Sequence, residues 1–76
     1  MTLEKFSQEV AAQFMENIEL EPDTEFRDND FFDSLTGMSI LVMIKDNFSY
    51  EMDVPTFLKC KTSRDLFNQI NSIKDV

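Results

Sequence analysis

The chain has 76 residues, a net charge of −8, 42% hydrophobic residues, one Cys, one Gly and no His, which fits one small domain and argues against a deep internal active site. The missing His excludes Ser-His-Asp and Cys-His nucleophile pairs and His metal ligands, and the single Cys excludes a zinc site and an internal disulfide. The single Gly excludes the dinucleotide-binding fingerprint and the P-loop, and a pI near 4.2 opposes binding to nucleic acid.

The first predicted element is a helix from Thr2 to about Met15. Its apolar residues recur at steps of three and four, and therefore form one stripe along the helix: Leu3, Phe6, Val10 and Phe14. We expect this stripe to face the core.

An acidic loop, residues 16–33, follows the first helix. The apolar periodicity fails there, and eight acidic residues stand against Arg27 alone, so nearly all of the net charge lies in the loop. An ordered course along the core is favoured by three aromatic residues, Phe26, Phe31 and Phe32. The loop ends directly at Asp33 and Ser34.

The second helix is predicted from Ser34 to about Phe48. Asp33 is a good N-cap, because its carboxylate accepts hydrogen bonds from free amides of the first turn. Gly37 costs about 1 kcal/mol relative to Ala inside a helix, which indicates close packing. One face is predicted to be buried and comprises Gly37, Ile40, Leu41, Ile44 and Phe48.

A second apolar stripe, Leu35, Met38 and Val42, lies on nearly the opposite side of this helix. A helix in a small bundle cannot readily bury both faces, so we expect part of this stripe to be exposed. Scattered apolar residues on a surface are normal. However, this stripe begins one residue after Ser34 and contains a Met, which suits a surface that adapts to several partners.

Two further helices complete the predicted fold. A short third helix is expected near Asp53 to Leu58, with Pro55 in its first turn. Thr62 and Asp65 resemble a capping box, which opens a fourth helix that carries Leu66, Ile70 and Ile73. We therefore predict an all-α fold, a small four-helix bundle with a short third helix and a long loop between helices one and two.

Neither a targeting signal nor a membrane span is visible in the sequence. Residues 1–5 lack the basic and apolar blocks of a signal peptide, and no run approaches the roughly 20 apolar residues that span a bilayer. We therefore expect a cytoplasmic protein without stable membrane insertion, whose thiol is reduced.

Ser34 combines two properties that suit covalent phosphate chemistry. A serine at the first position of a helix presents its hydroxyl near free backbone amides and the positive end of the helix dipole, which favour an attached phosphate. An Asp-Ser pair is also a common helix-start signal. The spacing alone leaves both interpretations open.

The sequence around Ser34 resembles an acyl carrier protein, with that family's Asp-Ser-Leu motif opening the second helix. The resemblance rests on Phe32-Asp33-Ser34-Leu35-Thr36, followed by Met38-Ser39-Ile40-Leu41-Val42-Met43-Ile44 and Phe48. Phe26 matches an aromatic residue in the family's first loop, Tyr50-Glu51-Met52 fits the approach to the short third helix, and residues 61–70 fit the start of the fourth. The likeness covers most of the chain.

This resemblance implies a non-catalytic carrier over residues 1–76, a monomer whose Ser34 receives 4′-phosphopantetheine from coenzyme A through a separate phosphopantetheinyl transferase. The Ser34 hydroxyl loses its proton and attacks the β-phosphate of coenzyme A while magnesium offsets the phosphate charge, and the pyrophosphate bond breaks to release adenosine 3′,5′-bisphosphate. The product is a phosphodiester with an arm that carries acyl groups as thioesters. Asp33 helps to arrange the magnesium and phosphates. The transferase and the acyl-transferring and acyl-modifying enzymes then dock on Asp30, Asp33, Leu35, Met38 and Val42.

Some features depart from a fatty-acid carrier and keep a dedicated biosynthetic pathway open. Phe31 and Phe32 replace the usual small residues before Asp-Ser, and the acidic pattern of the second helix is interrupted by Ser39, Lys45 and Asn47. A small basic cluster comprises Lys59, Lys61 and Arg64, although such clusters are usually solvated faces.

The cargo is not determined by the sequence, which allows acyl, malonyl, β-keto, hydroxy or aminoacyl groups. Six apolar residues are candidates for lining an acyl pocket: Phe26, Ile40, Ile44, Phe48, Phe67 and Ile70. Each of them also fits a plain core position.

Other functions compete with the carrier. An unmodified acidic adaptor would bind a partner protein through Leu35, Met38 and Val42, and an aminoacyl or peptidyl carrier would share the same attachment serine. Cys60 is interpreted as a core thiol, because no His accompanies it. A calcium loop fails because the spacing of its acidic residues requires an oxygen ligand at Phe32 and Gly at Asp33. An enzyme ranks last, since the chain lacks a base to activate a nucleophile.

Overall fold

The computed structural model describes residues 1–74, with the side chains of residues 1–72. The helices are α1 (Leu3–Ala11), α2 (Ser34–Phe48), α3 (Val54–Lys59) and α4 (Ser63–Lys74), and a 3₁₀ turn spans Phe26–Asp28. Residues 1–74 contain no strand beyond a single bridge between Glu25 and Thr62. The predicted all-α bundle with a short third helix is therefore confirmed.

Helix α1 is shorter than its apolar pattern predicts. The helix is capped by Thr2, whose hydroxyl accepts the Lys5 N–H at 3.2 Å, but it ends at Ala11 rather than near Met15. At the end of α1 the backbone changes to hydrogen bonds between residues three apart. The Phe14 N–H, for example, donates to the Ala11 carbonyl at 3.1 Å. This turn still directs Phe14 into the core, so the apolar periodicity outlasts the helix.

The core is formed by side chains from α1, α2, α4 and the loop before α2. The largest fully buried apolar side chains are Phe6, Val10, Phe26, Ile40, Ile44, Leu66 and Ile70. Phe6 of α1 packs against Phe67 of α4, with ring centroids 5.3 Å apart, and against Phe48 of α2 at 5.8 Å. These contacts hold the two long helices and α1 together.

Helix α2 has its predicted bounds but is turned about its axis. Gly37, Ile40 and Ile44 are buried as predicted, whereas Leu41 and Phe48 are only half-buried. Thr36 and Met43 are buried instead. At 100° per residue the buried face is rotated by about 60° from the predicted one. The prediction of full burial for Leu41 and Phe48 is therefore wrong, because packing on α1 and α4 selects the side nearer Ile40.

Helices α3 and α4 begin at the predicted caps. The Asp53 carboxylate accepts the Thr56 N–H at 2.8 Å, and Pro55 lies in the first turn of α3. The capping box is confirmed, since the Thr62 hydroxyl accepts the Asp65 N–H at 3.1 Å and the Asp65 carboxylate accepts the Thr62 N–H at 3.3 Å. Leu66 and Ile70 are buried as predicted, while the side chain of Ile73 lies outside the described residues.

The acidic loop is held against the start of α4. The Phe26 N–H donates to the Lys61 carbonyl at 3.1 Å, and the Arg64 N–H donates to the Pro22 carbonyl at 3.0 Å. Phe26 is fully buried, and Phe32 is half-buried against it at a centroid distance of 5.8 Å. Phe31 is 50% exposed, so its predicted anchoring role is wrong: its neighbour Phe32 already fills the place on the core.

Candidate functional site

Ser34 is the first residue of α2 and is exposed to solvent. Among the described residues, whose side chains run from 1 to 72, no group forms a hydrogen bond with its hydroxyl. The hydroxyl therefore lies free at the N-terminal end of a 15-residue helix, where unpaired amides and the helix dipole favour a negatively charged group.

The carboxylate of Asp33, next to Ser34, is held in place by Thr36. It accepts the Thr36 N–H at 2.8 Å and the Thr36 hydroxyl at 2.9 Å. These two hydrogen bonds, the backbone one first, lower the pKa of Asp33. Thr36 itself is nearly fully buried, so Asp33 is anchored to the core and carries a negative charge at neutral pH.

The apolar stripe Leu35, Met38 and Val42, termed here the α2 stripe, is exposed as predicted. The exposed fractions are 71%, 65% and 57%. Two residues of α3, Val54 and Leu58, are exposed as well. Five such side chains on neighbouring helices form more than a scattering of single apolar residues.

A surface cavity of about 370 Å³ opens beside Ser34, between the acidic loop, α2 and α3. Most of its lining is apolar, and its charged residues are Arg27 and Asp33. The lining comprises Arg27, Phe32, Asp33, Ser34, Gly37, Met38, Leu41, Val54, Phe57 and Leu58. A larger groove of about 770 Å³ is formed by residues between Gln8 and Glu21, but it includes none of these groups and brings no reactive side chains together.

Gly37 provides the floor of the Ser34 cavity. A Cβ atom at this position would lie 3.4 Å from Cε2 of Phe57 and 3.6 Å from Cζ of Phe32. The close packing inferred from the sequence is therefore present, although these distances correspond to ordinary van der Waals contact rather than a clash.

Arg27 is the member of this site that the sequence analysis did not single out. Its Nε donates to the Cys60 carbonyl at 3.0 Å, and its Nη2 donates to the Phe57 carbonyl. Arg27 thereby joins the acidic loop to the C-terminal end of α3, where a cation is favourable. The sequence feature that could have identified Arg27 is its position as the one cation in an acidic loop.

The six candidates for lining an acyl pocket lie in the core rather than on the Ser34 cavity. Phe26, Ile40, Ile44 and Ile70 are fully buried, and Phe48 and Phe67 are half-buried against the core. Their role toward a cargo stays a prediction.

The remaining predicted residues lie apart on the surface. Asp30 is exposed, and Arg64 of the basic cluster is paired with Asp23 at 2.7 Å, which removes one of that cluster's three free charges. Residues 1–74 contain no group of three or more carboxylates, thiols or imidazoles arranged to hold a metal ion. Cys60 is buried, and burial raises the pKa of its thiol, as expected for a core thiol.

Comparisons with known proteins match the chain to one family. The family described as "Phosphopantetheine attachment site" has a model that matches residues 4–70. Neither the curated proteins nor the solved structures gave a match. Within the described residues, no helix is long and apolar enough to cross a membrane.

Proposed function

Because the chain belongs to the family of phosphopantetheine attachment domains, we propose that it is an acyl carrier protein whose 4′-phosphopantetheine arm is attached to Ser34. The family carries this prosthetic group covalently, and its carrier domains are generally non-catalytic. When bound, the group supplies a thiol on a flexible arm, which holds the cargo as a thioester.

The observation that carries the proposal is the contrast between two helix-opening serines. Ser34 and Ser63 are the first residues of α2 and α4. Ser63 is fully buried, whereas Ser34 is exposed beside a cavity. A separate transferase can reach only a hydroxyl on the surface, so of the two helix-opening serines Ser34 is the one that fits the family's modification.

Asp33 and the first turn of α2 fit the charged part of the group. The free amides of this turn favour a phosphodiester on the Ser34 oxygen. The anchored Asp33 carboxylate stays ionised, which supports a role in holding a magnesium ion while the transferase acts.

The α2 stripe, together with Asp33 and Asp30, is proposed as the docking surface for the transferase and for the acyl-transferring enzymes. Its exposed apolar side chains extend along α2 from the N-terminal turn that carries Ser34, and a partner that covers them would also cover the attachment point. An apolar surface with a charged rim is typical of protein interfaces.

The apolar lining of the Ser34 cavity favours an acyl cargo over an aminoacyl or peptidyl one, in fatty-acid biosynthesis or in a specialised acyl or polyketide pathway.

The second candidate function is an acidic adaptor that is never modified and binds a partner through the α2 stripe. The same exposed side chains favour it.

Intact mass spectrometry separates these two functions. The protein is incubated with coenzyme A, magnesium and a broad-specificity phosphopantetheinyl transferase, beside Ser34→Ala and the control Ser39→Ala on the same helix. We expect the wild type and Ser39→Ala to gain the mass of one phosphopantetheine and Ser34→Ala to gain none. No gain with several transferases would favour the adaptor.

A further inference from the structure

The guanidinium of Arg27 is a partly buried cation among aromatic rings. Its Cζ lies 4.6 Å from the ring centroid of Phe57, 5.4 Å from that of Phe26 and 5.9 Å from that of Phe32. Burial lowers the pKa of Arg27, so its charge is partly removed from water. A cation in such a place is normally balanced by a carboxylate.

No carboxylate balances Arg27 among the described residues. Both ion pairs there involve other cations, Lys45 with Glu51 and Arg64 with Asp23, although the loop that carries Arg27 is rich in acidic residues. A guanidinium has five N–H donors, and Arg27 uses two of them on the carbonyls of Cys60 and Phe57. Three donors are left without a hydrogen-bond partner among the described residues, and the charge meets aromatic rings and two carbonyl oxygens but no carboxylate.

The unused donors belong to a residue that lines the Ser34 cavity. We infer that the free edge of the Arg27 guanidinium binds an oxyanion that the Ser34-linked arm brings into this cavity, an inference that rests on the proposed attachment at Ser34. The planar fork of a guanidinium matches a phosphate or a carboxylate in bidentate fashion. Asp33 also lines the cavity and, although Thr36 holds its carboxylate with two hydrogen bonds, it keeps a negative charge that opposes an anion bound at Arg27.

Two oxyanions can reach the cavity with this chemistry. One is the phosphodiester of the arm, and the other is a carboxylate at the end of a short acyl cargo. The apolar walls formed by Phe32, Leu41 and Phe57 suit the methylene groups between the thioester and such a carboxylate. Arg27 would then determine which cargo the carrier protects.

The side-chain 15N–1H signals of the arginines test this inference in the wild-type protein. The chain has two arginines, Arg27 and Arg64, so the spectrum is simple and Arg64, paired with Asp23, is the internal control. The forms compared are the unmodified protein, the phosphopantetheinylated protein, and the same protein carrying succinyl or the neutral, isosteric succinamoyl group. Mass spectrometry verifies each form.

Each spectral outcome supports or overturns the inference. An Arg27 shift on phosphopantetheinylation that all loaded forms share identifies the phosphodiester as the ligand. A shift confined to the succinyl form identifies the carboxylate. Equal shifts for succinyl and succinamoyl, without one for the arm alone, overturn charge recognition. Arg27 signals that stay unchanged in every form also overturn it.

A titration of the unmodified protein with succinate and with inorganic phosphate keeps this test separate from the proposed function. If Ser34 is not modified, the carrier proposal fails, while the response of Arg27 to the free anions still decides whether it binds an oxyanion. A shift of Arg27 without one of Arg64 supports the site, and no shift of Arg27 overturns it.

Variants then measure the size of the effect. We expect the form that holds the oxyanion to melt about 4 °C above its neutral counterpart, and Arg27→Gln to abolish this difference. Lys61→Gln removes an exposed cation away from the cavity and should preserve it. Arg27 also caps α3, so Arg27→Gln can destabilise the fold. In that case the wild-type spectra alone decide whether Arg27 binds an oxyanion.

Discussion

Replacing Gly37 by Ala should stabilise the protein by about 1 kcal/mol, since glycine in a helix interior is less favourable than alanine by about 0.8–1.0 kcal/mol. The added Cβ meets Phe57 Cε2 at 3.4 Å and Phe32 Cζ at 3.6 Å. Both are ordinary contact distances, so no steric cost offsets this gain, and the methyl group buries apolar surface against two rings.

Urea unfolding followed by circular dichroism measures this change in the free energy of unfolding. In thermal unfolding, the melting temperature should rise by about 4–8 °C for a domain of this size. Gly37→Val is the matched comparison, because its γ-carbons extend beyond a Cβ that already touches Phe57. We expect that variant to be less stable than Gly37→Ala by more than the difference in helix propensity. A lower midpoint for Gly37→Ala than for the wild type would refute the packing described for the Ser34 cavity.

Three further predictions concern Ser63, the helix caps and the α2 stripe. The Ser63 hydroxyl is buried without a hydrogen-bond partner among the described residues, so Ser63→Ala should raise stability by about 1 kcal/mol in urea unfolding; a loss would reveal a partner for that hydroxyl. Hydrogen bonds from Thr36 and Thr56 lower the pKa values of Asp33 and Asp53. The stabilisation from these hydrogen bonds is therefore fully present above the unfolded pKa of about 4 and is lost as the pH falls through the folded pKa values. The double variant Asp33→Asn, Asp53→Asn should therefore melt below the wild type at pH 7 and approach its melting temperature near pH 2. An equal difference in melting temperature at both pH values would contradict this linkage. Alanine at all three positions of the α2 stripe should change the free energy of unfolding by no more than about 0.5 kcal/mol per site but reduce the transferase kcat/KM at least about tenfold; unchanged kinetics would remove the stripe from the docking surface.

The local signals at the helix starts were predictable from the sequence. Asp33, Asp53 and the Thr62–Asp65 pair each cap a helix within a few residues of chain, and their side chains satisfy amides that would otherwise be free. The exposure of the α2 stripe was also predictable, since a helix that is apolar on two sides cannot bury both in a small bundle. These inferences need only the spacing of neighbouring residues.

The end of α1 and the rotation of α2 were not predictable in this way. The apolar spacing continues through Phe14 although the helix ends at Ala11, because a tighter turn also directs that ring inward. Likewise, whether Leu41 or Met43 is buried depends on which face of α2 packs against α1 and α4. Both of these helices are distant from α2 in sequence.

The sequence by itself determined where the helices begin, their caps, the acidic loop and the serine at the start of α2, because each depends on interactions over a few residues. Only the tertiary structure decided that Arg27 reaches the carbonyls of Phe57 and Cys60, about 30 residues further along the chain, and that a cavity opens between it and Ser34. Such contacts join segments distant in sequence. They arise when the whole core packs, and no local pattern of residues encodes them.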